Sequence, residues 1–297
     1  MKPLYLLLCA WLCGPTVVTA GESLRVASTS TIVTDLLREV GGDRVTIVEM
    51  VTPGEDPHEF RPTARDMAKM GACPVIFASG KGMENFLDSV RDLSRGKSVV
   101  VEVGQSLPGI EGRAHAHCQG HSHGVSEDPH WWHSLENMKK AVEVVREALT
   151  KASPSDGEYF RIRAQAYLRS LEDLQKWTVS RLSGIPPAQR KLVTSHDALQ
   201  YFAQENGFTI HALAGFSSQE EATARQVAEL IKLIRREKVK AVFGGFTLNP
   251  KFLEQIRKET GAGMGGVLYV DGLGEGEAST FIGMYKSNVN TLVEGLK

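Results

Sequence analysis

The sequence predicts an α/β protein made of two βα lobes with parallel sheets, joined by one long rigid helix. Short apolar runs alternate with segments of helical periodicity, which is the pattern of βα units in a parallel sheet. The alternation stops near residue 154 and restarts after residue 184. Between the two blocks, apolar residues recur at three- and four-residue steps over residues 157–183, and Gly184 and Pro186 end the pattern. At about 1.5 Å per residue this helix is roughly 40 Å long, the span of a whole domain.

The first block predicts an N-terminal lobe of residues 21–154. Glycines close its first helix, and Thr63 with Asp66 three residues later forms an N-cap signal for its second. The predicted strands are Leu24–Ala27, Val45–Val51, Val75–Ala78 and Val99–Val103, and the predicted helices are Thr31–Val40, Thr63–Met70 and Leu135–Ala148.

The linking helix is assigned to residues 155–184 and the C-terminal lobe to residues 185–297. In this lobe Ser218 and Glu221 have the spacing of a capping box, and Asn249 precedes a proline that favours a helix start. The predicted strands are Leu192–Thr194, Phe208–Leu213, Val239–Phe243 and Val267–Val270, and the predicted helices are Ser218–Lys238, Lys251–Thr260 and Ser279–Leu296.

The first twenty residues have the pattern of a secretory signal peptide, so we expect residues 1–20 to be cleaved. Lys2 supplies a basic start, Leu4–Trp11 an apolar stretch, and Val18–Ala20 a cleavage site of small residues. Lipid attachment is disfavoured because a leucine, rather than a small residue, precedes Cys13. These observations predict a periplasmic protein.

The charge balance argues against a nucleic-acid partner. The chain has 34 basic and 35 acidic side chains, for a net charge of −1. Binding to nucleic acid would require a concentrated basic face. The length allows two lobes of ordinary size with enough core for stability, and we expect a monomer.

Four residues that are far apart in the sequence are the candidate metal ligands. His58, His196 and Asp271 each follow an apolar run that is predicted as a strand, and His130 follows a segment rich in glycine and histidine. Loops after the strands of a parallel sheet gather into one crevice. Three imidazoles and one carboxylate form a complete four-coordinate shell for zinc.

The motif Glu-Asp-Pro-His occurs twice, ending at His58 and at His130. Proline stiffens each turn, and the aspartate two positions earlier is expected to orient the imidazole through its second nitrogen. His133 stays open as an alternative to His130, because residues three apart on a turn that enters a helix face the same way. His211 lies within a predicted strand and is interpreted as a core or edge histidine.

A second group of histidines lies in residues 113–124. This segment has almost no large apolar residue, so it cannot bury a core face. We interpret it as an auxiliary zinc-collecting loop, with a solvated loop of no specific role as the alternative. Its candidate ligands are His115, His117, His121 and His123.

Several segments together resemble the substrate-binding proteins of zinc and manganese ABC importers, known as the cluster A-I family. The segments are Val51–Thr63, Asp128–Trp131, Thr194–Phe202, Ala214–Ser218 and Asn249–Lys251, and the likeness covers essentially the whole chain after residue 20. The resemblance implies two lobes joined by a long helix, with a metal ion held between them by His58, His130, His196 and Asp271. It also implies that a histidine at the third ligand position, here His196, goes with zinc and a glutamate there with manganese.

The sequence therefore predicts a protein that captures Zn²⁺ outside the cytoplasmic membrane and delivers it to an ABC permease, and not an enzyme. A periplasmic metallochaperone is a second candidate partner. One alternative within the same fold is a manganese- or iron-binding protein or an adhesin. The alternative from another class is a secreted zinc hydrolase with an open fourth coordination position, but no His-Glu-x-x-His motif is present.

Overall fold

The computed structural model describes residues 23–94, 96–111, 127–194, 196–212, 223–245 and 250–297. The predicted signal peptide, the His-rich loop with His115, His117, His121 and His123, and the predicted helix start at Ser218 lie outside these ranges.

Two parallel four-stranded sheets form the framework, which confirms the predicted α/β class. The first sheet has the order β2-β1-β3-β4 and the second has the order β6-β5-β7-β8, so the two halves repeat one topology. In each half the strand order reverses beside the first strand, which leaves a crevice at the carboxyl ends of the strands. The strands are β1 (Leu24–Ser28), β2 (Val45–Glu49), β3 (Val75–Ala78), β4 (Val99–Glu102), β5 (Lys191–Thr194), β6 (Thr209–Ala212), β7 (Ala241–Gly245) and β8 (Gly263–Leu268).

The helices follow the strands as the βα pattern predicts. The predicted capping box of Thr63 and Asp66 is confirmed at the start of the second helix. Among the helices that the structure describes, none is both long and apolar enough to cross a bilayer. The helices are α1 (Thr31–Gly41), α2 (Ala64–Gly71), α3 (Leu87–Ser94), α4 (Leu135–Ala152), α5 (Gly157–Leu182), α6 (Gln200–Asn206), α7 (Ala224–Glu237), α8 (Pro250–Thr260) and α9 (Phe281–Leu296).

Helix α5 joins the two halves and also contributes to their common core. It packs against α1 and α4 of the first half and against α9 of the second. Its buried face carries Phe160, Leu171 and Leu174 at helical spacing, and these side chains belong to one hydrophobic cluster that reaches both sheets. The lobe boundaries at residues 154 and 185 stay a prediction, because this core runs through both halves.

Four elements differ from the prediction. Helices α3 and α6 were not predicted, and α6 has no side-chain cap at Leu199 that would signal its start. Helix α7 begins at Ala224, after an extended Thr223 that forms a capping box with Gln226, although the predicted helix runs through Thr223.

Strand β8 is also displaced from its prediction. It spans Gly263–Leu268 instead of Val267–Val270, because pairing with β7 extends the sheet into a glycine-rich segment of low strand propensity. A Cβ atom at Gly265 would lie 2.3 Å from the ring of Phe243, so a glycine is required for this pairing.

We predict that Leu171→Ala in α5 lowers the free energy of unfolding by about 2–5 kcal/mol, because Leu171 is fully buried and the change leaves a cavity. Ile162→Ala on the same helix is the matched control, since Ile162 is 54% exposed and its truncation should cost less than about 0.5 kcal/mol. Chemical denaturation measures both. Equal losses in the two variants would contradict the assigned buried face.

Candidate metal centre

The fold brings His58, His130, His196 and Asp271 to one point between the two halves. One potential ligand atom from each residue lies within 4.8 Å of the others. His58 comes from the loop after β2 and His130 from the turn before α4, while His196 and Asp271 come from the segments after β5 and β8. Each half of the molecule therefore contributes two of the four side chains.

The distances between these atoms fit a small ion at the centre. His58 Nε2 lies 3.1 Å from His130 Nε2. Asp271 Oδ1 lies 2.9 Å from Nε2 of His196, 3.4 Å from that of His130 and 3.5 Å from that of His58. A tetrahedral zinc ion with bonds of about 2.0–2.2 Å separates its ligand atoms by about 3.3–3.6 Å. Two of the four distances lie in this range and two are shorter, so a four-coordinate ion would require the closer pairs of atoms to move apart by a few tenths of an ångström.

The two Asp-Pro-His motifs form the same turn. Asp56 Oδ1 accepts a hydrogen bond from the backbone N–H of His58 at 2.8 Å, and Asp128 Oδ1 accepts one from that of His130 at 2.9 Å. Asp128 Oδ1 also lies 2.8 Å from His130 Nδ1. This contact makes Nδ1 the protonated nitrogen and leaves Nε2 to face the centre, which is the orienting role predicted for the aspartate.

His133, the alternative to His130, points elsewhere. Its Nε2 lies 2.8 Å from the carbonyl oxygen of Val270, and Trp132 Nε1 donates to the same oxygen at 3.2 Å. The two side chains thus hold the residue before Asp271 against the first half of the molecule. Burial, the largest effect, lowers the pKa of His133 to about 4. The ring is therefore neutral at pH 7, and its Nε2–H donates the hydrogen bond to the Val270 carbonyl.

Helix α6, which the sequence did not reveal, fastens the His196 side of the site to the first half. Tyr201 accepts a hydrogen bond from the N–H of Ile110 at 3.2 Å and donates one to the carbonyl oxygen of Asp128 at 2.9 Å. One turn later, the carboxylate of Glu205 accepts from the N–H of Leu135 at 3.0 Å, in the first turn of α4. A carboxylate is stabilised there by the partial positive charge of the helix terminus.

Helix α1 holds the loop that carries Asp271. Thr31 Oγ1 accepts a hydrogen bond from the N–H of Leu273 at 2.9 Å, and Asp35 Oδ2 accepts one from the N–H of Phe281 at 3.0 Å. Burial raises the pKa of Asp35 to about 6. These contacts join residues more than 200 positions apart in the chain, so no local pattern could have indicated them.

The centre pairs one carboxylate with several imidazoles in a buried setting. Burial alone would raise the pKa of Asp271, but the charge on His196 and hydrogen bonds from the imidazoles hold it well below its usual range. Burial lowers the pKa of His130, yet its contacts with Asp128 and Asp271 outweigh this effect and raise the pKa to about 9. The centre is thus built to stabilise positive charge, whether it comes from a proton or from a metal ion.

His211 lies in strand β6 and is not one of the four clustered residues. This position agrees with its interpretation as a core or edge histidine. Its Nε2 is 3.5 Å from the carboxylate of Glu237. It therefore offers a histidine that can be removed without touching the four clustered side chains.

Two βα lobes with side chains from both meeting at one site are typical of a substrate-binding protein. Because these side chains are three imidazoles and a carboxylate, the substrate is a metal ion. The family model of ZnuA, the periplasmic component A of the zinc-uptake complex, matches residues 26–295. The chain belongs to this family, which confirms the resemblance found in the sequence. The similar proteins include metal-binding, substrate-binding lipoproteins of ABC transporters.

Named relatives differ in the metal that they bind. The iron-binding protein YfeA of Yersinia pestis is 34% identical over 281 residues, which cover 92% of this chain and 86% of YfeA. The manganese-binding lipoprotein MntA of Halalkalibacterium halodurans is 31% identical over 278 residues, with 93% and 89% covered. The structure of the periplasmic zinc-binding protein TroA from Treponema pallidum superposes with a TM-score of 0.83 at 28% identity, covering 93% of this chain and 99% of TroA.

We predict that the imidazole of His130 in the metal-free protein titrates near pH 9, whereas His133 stays neutral down to about pH 4. Because the ordinary value is 6.5, the contribution of His130 to stability is complete below pH 6.5 and disappears as the pH rises through 9. The His133 contribution has the opposite sign and destabilises the fold as the pH falls from 6.5 towards 4. NMR titration of the ring signals measures both values.

Asp128→Asn is the control for this titration, because it removes the carboxylate that holds His130 Nδ1 and should bring the pKa of His130 down. An unchanged His130 titration in that variant would show that Asp128 does not set the protonation state of the ring.

Proposed function

We propose that this protein binds Zn²⁺ between its two lobes through His58, His130, His196 and Asp271 and delivers it to an ABC permease. The observation that carries the proposal is the convergence of three imidazole nitrogens and one carboxylate oxygen within 4.8 Å. Imidazole suits a borderline-soft ion, whereas Mg²⁺ and Ca²⁺ prefer shells made entirely of oxygen.

Manganese or iron is the second candidate substrate, and the names of MntA and YfeA favour it. Two observations support zinc instead. The third ligand position is a histidine, and Asp271 Oδ1 lies 3.4 Å from Nε2 of His130 and 3.5 Å from that of His58, which are ligand separations of a tetrahedral shell. An ion that prefers six ligand atoms, most of them oxygen, would need further donors beyond these four.

Binding without catalysis is the better account of the four-residue shell. A zinc hydrolase keeps one coordination position open for a reactive water molecule. Asp271 Oδ1 lies within 3.5 Å of Nε2 of His58, His130 and His196, so the carboxylate takes that fourth position. The relatives are likewise named as binding proteins of transporters.

We further propose that the protein acts in the periplasm after cleavage of residues 1–20. The names of MntA and of other relatives describe lipoproteins, so a lipid anchor at a cysteine of this segment is the alternative. Mass spectrometry of the N-terminal peptide from membrane and soluble fractions separates the two. A permease is the partner that the family requires, and a periplasmic metallochaperone is a further candidate.

We predict that His196→Ala weakens zinc binding by at least a hundredfold, because the change removes one of four ligands and leaves Asp271 without its shortest contact. His211→Ala is the matched control and should leave the affinity unchanged, since His211 lies in β6 outside the cluster. Isothermal titration with Zn²⁺ and then Mn²⁺ measures affinity and selectivity together.

Equal zinc affinity in the two variants would reject the assigned ligands. If the unsubstituted protein bound Mn²⁺ more tightly than Zn²⁺, the four residues would still form the site, but manganese would be the substrate.

We also propose that residues 113–124 collect zinc as a weaker auxiliary site, on the strength of their four histidines. Deletion of residues 113–124 should lower the zinc stoichiometry and leave one tight site. The deletion is structurally mild because Glu111 and Glu127, which flank the segment, already pair as an antiparallel bridge. Replacing His115, His117, His121 and His123 by serine at constant length should cause the same loss in titration; unaltered stoichiometry in both variants would reject the auxiliary role.

A further inference from the structure

We infer that an open cavity beside Asp271 is the passage through which the metal ion enters and leaves the centre, an inference that rests on the proposed metal-binding function. The cavity has a volume of about 240 Å³. One wall is formed by residues 53–56, in the loop that leads to His58, and the other by residues 269–275, in the loop that carries Asp271. The cavity thus lies between the two halves, directly beside the clustered ligands.

Accessibility of the ligands favours this side of the centre. The side chains of His130 and His196 are 0% and 2% exposed, so neither offers a route from solvent, and His58, which is 9% exposed, is not among the residues that line the cavity. Asp271 is 10% exposed and itself lines the cavity. An ion in the cavity would therefore meet the carboxylate of Asp271 before it reaches the imidazoles of His130 and His196.

Glycines keep the Asp271 loop packed inward and leave the cavity open. A Cβ atom at Gly272 would lie 2.7 Å from Thr31 Oγ1, and one at Gly274 would lie 2.2 Å from the ring of Tyr269. The loop therefore lies flat against α1 and against Tyr269. Larger side chains at these positions would push the loop away from its support and into the cavity.

The charge on the cavity lining suits a divalent cation. Among the described residues that line it, Glu55, Asp56, Asp271 and Glu275 are acidic and none is basic. Glu55 and Glu275 are exposed at the surface, whereas Asp271 lies deeper. A cleft lined by one sign of charge raises the local concentration of the opposite ion and speeds its association, an effect that salt weakens.

The test measures rates of Zn²⁺ exchange by stopped-flow fluorescence in the full chain. Trp132 is a suitable reporter because its ring lies 5.4 Å from that of His130. Pro53→Phe narrows the passage without changing its charge. We expect its association and dissociation rate constants to fall several-fold together, so that their ratio, the Kd, is unchanged.

The second arm compares Glu275→Lys with Glu277→Lys. Both glutamates are exposed, but only Glu275 lines the cavity, whereas Glu277 lies two residues further on in a short 3-10 helix of residues 276–279. Glu275→Lys should slow association at low ionic strength, with the difference shrinking as salt is added, whereas Glu277→Lys should change the rate much less. Circular dichroism confirms that each variant is folded.

Unchanged exchange rates in Pro53→Phe would contradict the proposed passage. Equal effects of Glu275→Lys and Glu277→Lys on the association rate would contradict it as well. A weaker Kd for Pro53→Phe without slower association would also overturn it, because Pro53 would then act on the ligand geometry. Failure of the proposed function looks different: zinc binding by the unsubstituted protein would then be absent or would be unaffected by His196→Ala.

Discussion

One carboxylate that is only 10% exposed, that of Asp271, organises the centre and much of the interface between the two halves. Removing a charge from water is costly unless it is paired and hydrogen-bonded, and here the partners are three imidazoles, two of which come from the other half of the molecule. The carboxylate can satisfy this requirement only if both halves keep their relative position. Long helix α5 and the common hydrophobic cluster supply that constraint, because they tie the two parallel sheets into one framework. The site is therefore a consequence of how the lobes are joined, as well as of the four side chains themselves.

The hydrogen bonds around the ligands show how firmly the centre is held. The carbonyl oxygen of Val270 accepts from Trp132 and His133, while α1 holds the same loop from the other side through Thr31. Glu205 of α6 holds the start of α4. Separation of whole lobes would break all these contacts together. A movement confined to residues 269–275 would leave the contact of Glu205 with α4 in place and would still remove Asp271 from the cluster.

The clustering of the four candidate ligands could be predicted from the sequence because each follows a local signal. A repeated Asp-Pro-His turn marked His58 and His130, and strand ends marked His196 and Asp271. The choice between His130 and His133 could not be made from the sequence, because the two differ only in the partner that each meets in space, Asp271 for one and the Val270 carbonyl for the other. For the same reason the roles of Tyr201, Glu205 and Asp35 were not predicted. Helices α3 and α6 and the glycine-rich strand β8 were missed or displaced because tertiary pairing, and not local propensity, determines them.

Metal selectivity in this family must depend on more than the fold, since relatives with the same architecture are named for iron, manganese and zinc. In this chain the donor set is rich in nitrogen, which favours the later first-row ions and disfavours Mg²⁺ and Ca²⁺. Rigidity adds a second criterion. Asp128 fixes the ring orientation of His130, which limits how far that side of the site can adapt to the six ligands that manganese prefers. Ligand type and the contact behind His130 are thus the two features of this chain on which the proposed preference for zinc depends.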